Sequence, residues 1–228
     1  MMKHPSLASP MPIVITTLRT LFGMTEQGLT AYKSDDSGPF PKPFPHSNVA
    51  PEDRIDFFLH KSFNRAWSGP GLVPTTKRFG AGLRSRLEKM DLSTDWTHVD
   101  DFFEHFGKQL SASLTEAVFG SALLELHPDL IDDLWEYDDA LPWLARRIPS
   151  FLMPRIHKIG KIVRSQLKDW YNLSRLASIG PESRNPDVDI DATWGSDLIR
   201  DLHKTLRDER GSHDDDALSS HDLALLWA

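Results

Sequence analysis

The chain has 228 residues, enough for one medium-sized domain with a substantial core. It carries 26 Lys and Arg against 33 Asp and Glu, a formal charge of −7 that argues against a general phosphate-binding surface. With no cysteine it can form no disulfide, thiolate metal site, iron–sulfur cluster or cysteine nucleophile of its own.

No stretch approaches the roughly 20 apolar residues that span a bilayer. The apolar run in the opening MMKHPSLASPMPIVITT is shorter than the roughly 7 residues of a signal-peptide core. As written, the chain is expected to be anchor-less and soluble or cytosolic. Residues 1–16 read as a leader, disordered or a short strand: residues 1–12 are rich in Pro and Ser, and Ile13-Val14-Ile15 is a β-branched run. Leu18, Leu21, Phe22 and Leu29 suggest one or two short helices, with Thr25 and Glu26 near a start and breaks at Gly23 and Gly28. Residues 34–51 carry five prolines and read as an ordered loop or a linker.

From there the pattern is strongly helical. Pro51-Glu52-Asp53 reads as a first turn, and Ile55, Phe58, Leu59 and Phe63 follow at helical spacing until Gly69-Pro70-Gly71 stops them. A second helix runs from near Pro74 to Met90. A third follows Asp95 through Phe102, Phe103, Phe106, Leu110, Leu114 and Val118. Pro128 opens a fourth. Ile148-Pro149 and Met153-Pro154 then bracket an apolar connector. A fifth helix runs from Arg155 to Tyr171, residues 178–191 form a polar loop, and Ile190 to Arg210 gives a sixth. Ser220-His221-Asp222 reads as the cap of a last helix. Its LALLWA is apolar on every side, the pattern of a helix buried all round, so we expect a piece of a larger helical protein. No repeat of 20 to 50 residues is evident, and the fold class is mainly α.

Two acidic clusters, Asp100-Asp101-Phe102-Phe103-Glu104 and Asp132-Asp133-Leu134-Trp135-Glu136, share a DDxxE form that sets carboxylates one helical turn apart. Such a face can hold magnesium on a diphosphate, as in terpene cyclases, or be the solvated surface of an acidic protein. His213 beside Asp214-Asp215-Asp216 reads as a solvent-facing loop. Asn172-Leu173-Ser174 is a glycosylation sequon at a helix end. There is no Gly-rich phosphate loop and no GxSxG elbow. Lys61 and Arg65 stand four residues apart beside an apolar face of Phe58, Leu59 and Phe63. They are either a pair for an anionic ligand such as a carboxylate or ordinary solvent-facing charges.

The segment HKSFNRAWSGPGLVPTTKRFGAGLRSRLEKM resembles helix C and its continuation in cytochrome P450s of the sterol 7α-hydroxylase and prostacyclin synthase type, especially their fungal relatives. LFGMTEQGL resembles the B′ segment of that group. EYDDALPWLARRIPSFLMPRIHKIGKIVRSQLKDW resembles its F helix, F–G connector and G helix, and SSHDLALLWA the run into helix I. The resemblance covers about residues 17 to 228 in the family's order. It implies a single partial domain over 17–228: an incomplete cytochrome P450 fold with helices B′, C to G and the start of I, lacking the haem-thiolate half. The family's cysteine ligand, its Glu-x-x-Arg and its oxygen-activation motif are absent, as is its membrane anchor.

What the resemblance implies for function follows the family. The parent would be a haem monooxygenase that oxidises or hydroxylates a lipid, sterol or terpenoid-like substrate with O2. It would take electrons from P450 reductase on the cytosolic face of the endoplasmic reticulum membrane, with no nucleic acid involved. By position, His60, Lys61 and Arg65 match the helix C site facing a haem propionate, with His60 where Trp is more usual. Phe40, Phe44 and Trp227 would line the substrate, and Phe151, Leu152 and Met153 would form a connector tip in peripheral contact with the membrane. No catalytic residue and no metal ligand is assigned. The chain alone is expected to bind no haem stably and to be inactive. Two other readings stay open: a non-enzymatic helical interaction protein, and a magnesium-dependent terpene cyclase-like enzyme.

Overall fold

The computed structural model describes residues 10–90, 98–177 and 190–227, and they are mainly α-helical. Helix α1 (Met11–Thr20) begins at prolines suited to a first turn, and it takes in Ile13–Ile15, where the β-branched run suggested a strand. Burial of Met11 and Leu18 outweighs that local preference. Thr25 caps α2 (Glu26–Ser34) by accepting from the Gly28 N–H at 3.2 Å, as the Thr25-Glu26 start implies.

Pro51–Asp53 forms a single 3-10 turn, and α3 (Ile55–Trp67) follows until Gly69–Gly71 ends it. Helices α4 (Leu72–Glu88) and α5 (Phe102–Phe119) lie antiparallel: Arg78 Nε donates to the Ala117 carbonyl at 3.0 Å, and Gly82 faces Ser113. Asp101 caps α5 through the Glu104 N–H. The expected earlier start of this helix falls on residues 91–97, outside those described.

After the short α6 (Ser121–Leu126), α7 (Leu130–Ala145) and α8 (Pro154–Ala177) form a second antiparallel pair. The polar loop expected at 178–191 lies largely outside the described residues. Where a helix from Ile190 was expected, Ile190–Asp191 instead pairs antiparallel with Gly195–Ser196. Helix α9 starts only at Asp197, runs to His203 and passes into a π-turn over Lys204–Glu209.

Helix α10 (Asp215–Trp227) also starts earlier than the sequence suggests. Asp214 accepts from the Ala217 N–H at 2.8 Å, so Ser220-His221-Asp222 lies inside the helix and caps nothing. All seven residues from Ala217 to Leu223 are buried, because α10 packs against α8, α1 and α2 at once. Beyond them the covering thins: Ala224 to Leu226 are half-buried and Trp227 is exposed.

The core centres on Trp170 of α8, fully buried with Phe119, Trp194, Tyr171 and His203 around its ring at 5.4–6.2 Å. Its indole N–H donates to the Thr193 carbonyl at 2.7 Å, which ties the β-turn to α8. Among the described residues no helix is long and apolar enough to cross a membrane.

The β-turn leaves no room for a side chain at Gly195. Its φ is +76°, and a Cβ would stand 2.6 Å from the Val118 carbonyl oxygen and from the Phe119 backbone. Gly195→Ala should therefore lower the unfolding free energy by more than about 1 kcal/mol in urea titration, since strain and a backbone clash add.

Candidate functional site

The surfaces that the sequence singles out are built by separate elements. On α3, His60, Lys61, Asn64 and Arg65 share the solvent-facing side, while Phe58 and Leu59 pack on the core. The Arg65 side chain is 77% exposed, and a loose 3.6 Å ion pair with Asp201 of α9 is its only ion pair among the described residues. These three cationic or titratable groups stand together on one open helix face.

The five-proline loop is ordered by a buried cation. Arg54, just before α3, donates from Nε to the Ser37 hydroxyl at 2.9 Å and from its terminal nitrogens to the carbonyls of Pro41, Gly38 and Phe40. Its guanidinium also lies 4.6 Å from the Phe57 ring centroid. Asp35 completes the clamp, accepting from the Ser37 N–H and hydroxyl through Oδ1 and from the Asp56 N–H through Oδ2. Local sequence hides this, because the donor sits 13 to 17 residues from its acceptors. Within the loop Phe40 is exposed, while the Phe44 ring lies against Gly38, whose φ of +77° and missing side chain make the space.

Trp227 is far from that loop in sequence and is held at the other end of α10. Its indole N–H donates to Asp138 Oδ1 at 2.7 Å, and its ring lies 5.9 Å from Phe22. Phe151, Leu152 and Met153 form the turn between α7 and α8, with Phe151 and Leu152 strongly exposed and Met153 half-buried.

The two DDxxE clusters sit near each other with their carboxylates engaged. Lys108 bridges Glu104 and Asp132, each at 2.7 Å, and both hold its pKa up through hydrogen bonds. Asp133 accepts from Gln166 at 2.6 Å, Glu136 pairs with Arg155 at 2.7 Å, and Asp101 caps α5. A cation at this position is thus supplied by the chain itself. Among the described residues, no three His, Asp or Glu side chains are grouped to hold a metal.

A further cluster is one that sequence reasoning missed. Asp222 is fully buried, and its Oδ2 accepts from the Tyr171 hydroxyl of α8 and from His203 Nε2 of α9, both at 2.7 Å. His221 Nδ1 approaches Oδ1 at 3.4 Å. Burial alone would raise the Asp222 pKa, but the His203 and His221 contacts outweigh it and hold the carboxyl well below its usual range. Burial and the neighbouring Asp222 push the Tyr171 hydroxyl far upward, so it remains a donor.

His213, expected in solvent, is 2% exposed and faces this cluster. The Ser212 hydroxyl gives its proton to the Leu206 carbonyl, so His213 Nδ1–H donates to Ser212 Oγ at 2.9 Å. His213 Nε2 is then left to accept from the Tyr32 hydroxyl at 3.3 Å. The ring is neutral, and burial, with His221 nearby, pushes its pKa down to about 3. The available signal was the set of polar residues inside the apolar run ALSSHDLALLW, which a buried helix tolerates only with partners.

Comparison with known proteins places the chain near one group of enzymes. It is 20% identical over 172 residues to the cytochrome P450 monooxygenase efuG of Hormonema carpetanum, covering 75% of this chain and 30% of that protein. It is 24% identical over 194 residues to the cytochrome P450 monooxygenase fsoE of Humicola fuscoatra, covering 81% and 33%. The cytochrome P450 monooxygenase calL of Penicillium decumbens matches at 22% over 200 residues, covering 85% and 36%. The chain therefore has weak homology to fungal cytochrome P450 monooxygenases and spans about a third of the length of these relatives. No family model matches it, and no solved structure does.

Haem is the cofactor this homology implies for the parent family, and the donor set here does not fit it fully. A haem-thiolate iron takes a cysteine sulfur, and these 228 residues contain none.

Two measurements test the buried groups. Arg54→Gln should cost about 2 kcal/mol or more and speed amide exchange across residues 36–47 while α7 and α8 stay protected. Arg54→Lys should not restore protection, because an ammonium cannot span acceptors arranged for a planar fork. For His213, the unfolded imidazole takes its proton near pH 6.5, whereas the folded one waits until about pH 3. Its contribution is complete above pH 6.5 and declines by about 1.4 kcal/mol per pH unit as the pH falls toward 3. His213→Gln should flatten the fall in melting temperature between pH 6.5 and 4, and an unchanged slope would count against the assignment.

Proposed function

We propose that these residues form the substrate lid and one wall of the haem pocket of a haem-thiolate monooxygenase, with the iron ligand supplied by residues outside them. The reading is carried by the match to three fungal cytochrome P450 monooxygenases, which runs through 172 to 200 residues of the chain. In this assignment His60, Lys61 and Arg65 face a haem propionate from α3. Phe40, Phe44 and Trp227 border a lipid, sterol or terpenoid-like substrate, and Phe151, Leu152 and Met153 touch the surface of the endoplasmic reticulum membrane. Electrons would reach the assembled enzyme from a P450 reductase.

The clamp on the five-proline loop supports this reading, because a lid that presents Phe40 and Phe44 needs a fixed backbone behind it. The open cationic face of α3 supports it as well, since nothing among the described residues neutralises Lys61. The magnesium alternative has less support, as Lys108 already bridges the two acidic clusters.

Without a thiolate, the isolated chain should be inactive. Adding haem, reducing it and exposing it to carbon monoxide should give no absorption band at the thiolate-ligated position. Such a band from the purified 228-residue chain would overturn the assignment of the iron ligand to other residues.

A further inference from the structure

The chain is acidic overall, yet between Ala140 and Lys168 it holds seven Lys and Arg and no Asp or Glu. Three of the seven are engaged: Arg155 with Glu136, Arg164 with the Phe22 carbonyl and Lys168 with Asp216. The other four, Arg146, Arg147, Lys158 and Lys161, are exposed and have no acidic partner among the described residues. An anion added among cations left unpaired finds charge-assisted partners already in place.

Ser150 stands between the two pairs in sequence. It is exposed, the second residue of a turn closed by the Leu152 N–H on the Pro149 carbonyl at 3.0 Å. Its hydroxyl has no hydrogen-bond partner among the described residues. Arg146 and Arg147 precede it by four and three positions, and no other Ser or Thr of the chain has two arginines so placed. On its other side, Ser150 lines a hollow of about 290 Å³ together with His157, Lys158 and Lys161. Helix α8 begins at Pro154, four residues on, so the positive end of its dipole faces the turn.

We propose that Ser150 is a phosphorylation site for a basophilic protein kinase, and that the phosphoserine is then held by Lys158 and Lys161. The paired arginines are a charge pattern of the kind by which such kinases choose substrates. Little structure resists the kinase. Opening the turn breaks the Leu152–Pro149 bond and the donation from His157 Nε2 to the Ile148 carbonyl. In the transfer Ser150 Oγ bonds the γ-phosphorus of ATP while the bond from that phosphorus to the β-bridging oxygen breaks. ADP leaves, and the hydroxyl proton passes to the kinase's base carboxylate. The product brings about −1.5 to −2 charge at pH 7 and three acceptor oxygens. It meets no carboxylate between Ala140 and Lys168, and the two lysines share its hollow.

Incubating the full 228-residue chain with ATP and the catalytic subunit of cAMP-dependent protein kinase, a basophilic enzyme, tests both parts. Tandem mass spectrometry should place most of the phosphate on Ser150, and Ser150→Ala should remove it. R146Q/R147Q should slow incorporation by about tenfold or more, with far-UV circular dichroism unchanged because both side chains are exposed. Phosphorylation should slow amide exchange across residues 147–157 by about threefold or more. K158A/K161A should still take phosphate at Ser150 but lose that slowing. A folded chain that takes no phosphate at Ser150, or takes it equally well as R146Q/R147Q, would overturn the site. Incorporation at Ser150 without slower exchange, or with the same slowing in K158A/K161A, would overturn the seat on the lysines.

Discussion

Asp222 is a carboxylate with no access to water, and its satisfaction dictates how α8, α9 and α10 meet. Taking such a group out of solvent costs several kcal/mol unless its partners stand in good geometry. Tyr171 and His203 do so from two different helices, which allows α10 essentially one rotation about its axis. That rotation places Ala217 against Gly28 of α2 and carries Trp227 round to Phe22 and Asp138. A polar contact in the core thus positions a surface aromatic at the helix end. It also explains why so many rings gather at Trp170, since His203 bonds Asp222 on one side and faces the indole on the other.

Charge is distributed by the same economy of partners. Along α5 and α7 the carboxylates are drawn into pairs with Lys108 and Arg155, so a cluster that looks like a cation trap already contains its cation. The α3 face and the α7–α8 turn are the reverse, with cations projecting into solvent. An acidic chain with two separate positive surfaces is polarised, and the net charge conceals this.

Local features were legible from sequence where a residue acts on its own neighbourhood. Gly69-Pro70-Gly71 ends α3 and Thr25 starts α2, because backbone freedom and capping operate within a turn of helix. Ile13–Ile15 misled because strand preference in three residues is weaker than the burial of Met11 and Leu18. Ser220-His221-Asp222 misled for a different reason. Its composition is that of a cap, and the partners that make it a core element stand 19 and 51 residues away. Arg54 is similar: as a lone Arg before a helix it carries no local signal, yet it organises a loop whose prolines alone suggested a linker. In the candidate site the aromatic and cationic side chains were legible, and the buried groups that hold them were not.

The five-proline loop shows what such wiring does to motion. Its prolines fix φ at many positions, while one guanidinium grips four of its acceptors and Asp35 pins its start. Peeling away one acceptor leaves a buried cation short of partners, so partial excursions are penalised nearly as heavily as full release. The segment is therefore held at several points at once by one buried cation, instead of hanging as a string that frays from its tip.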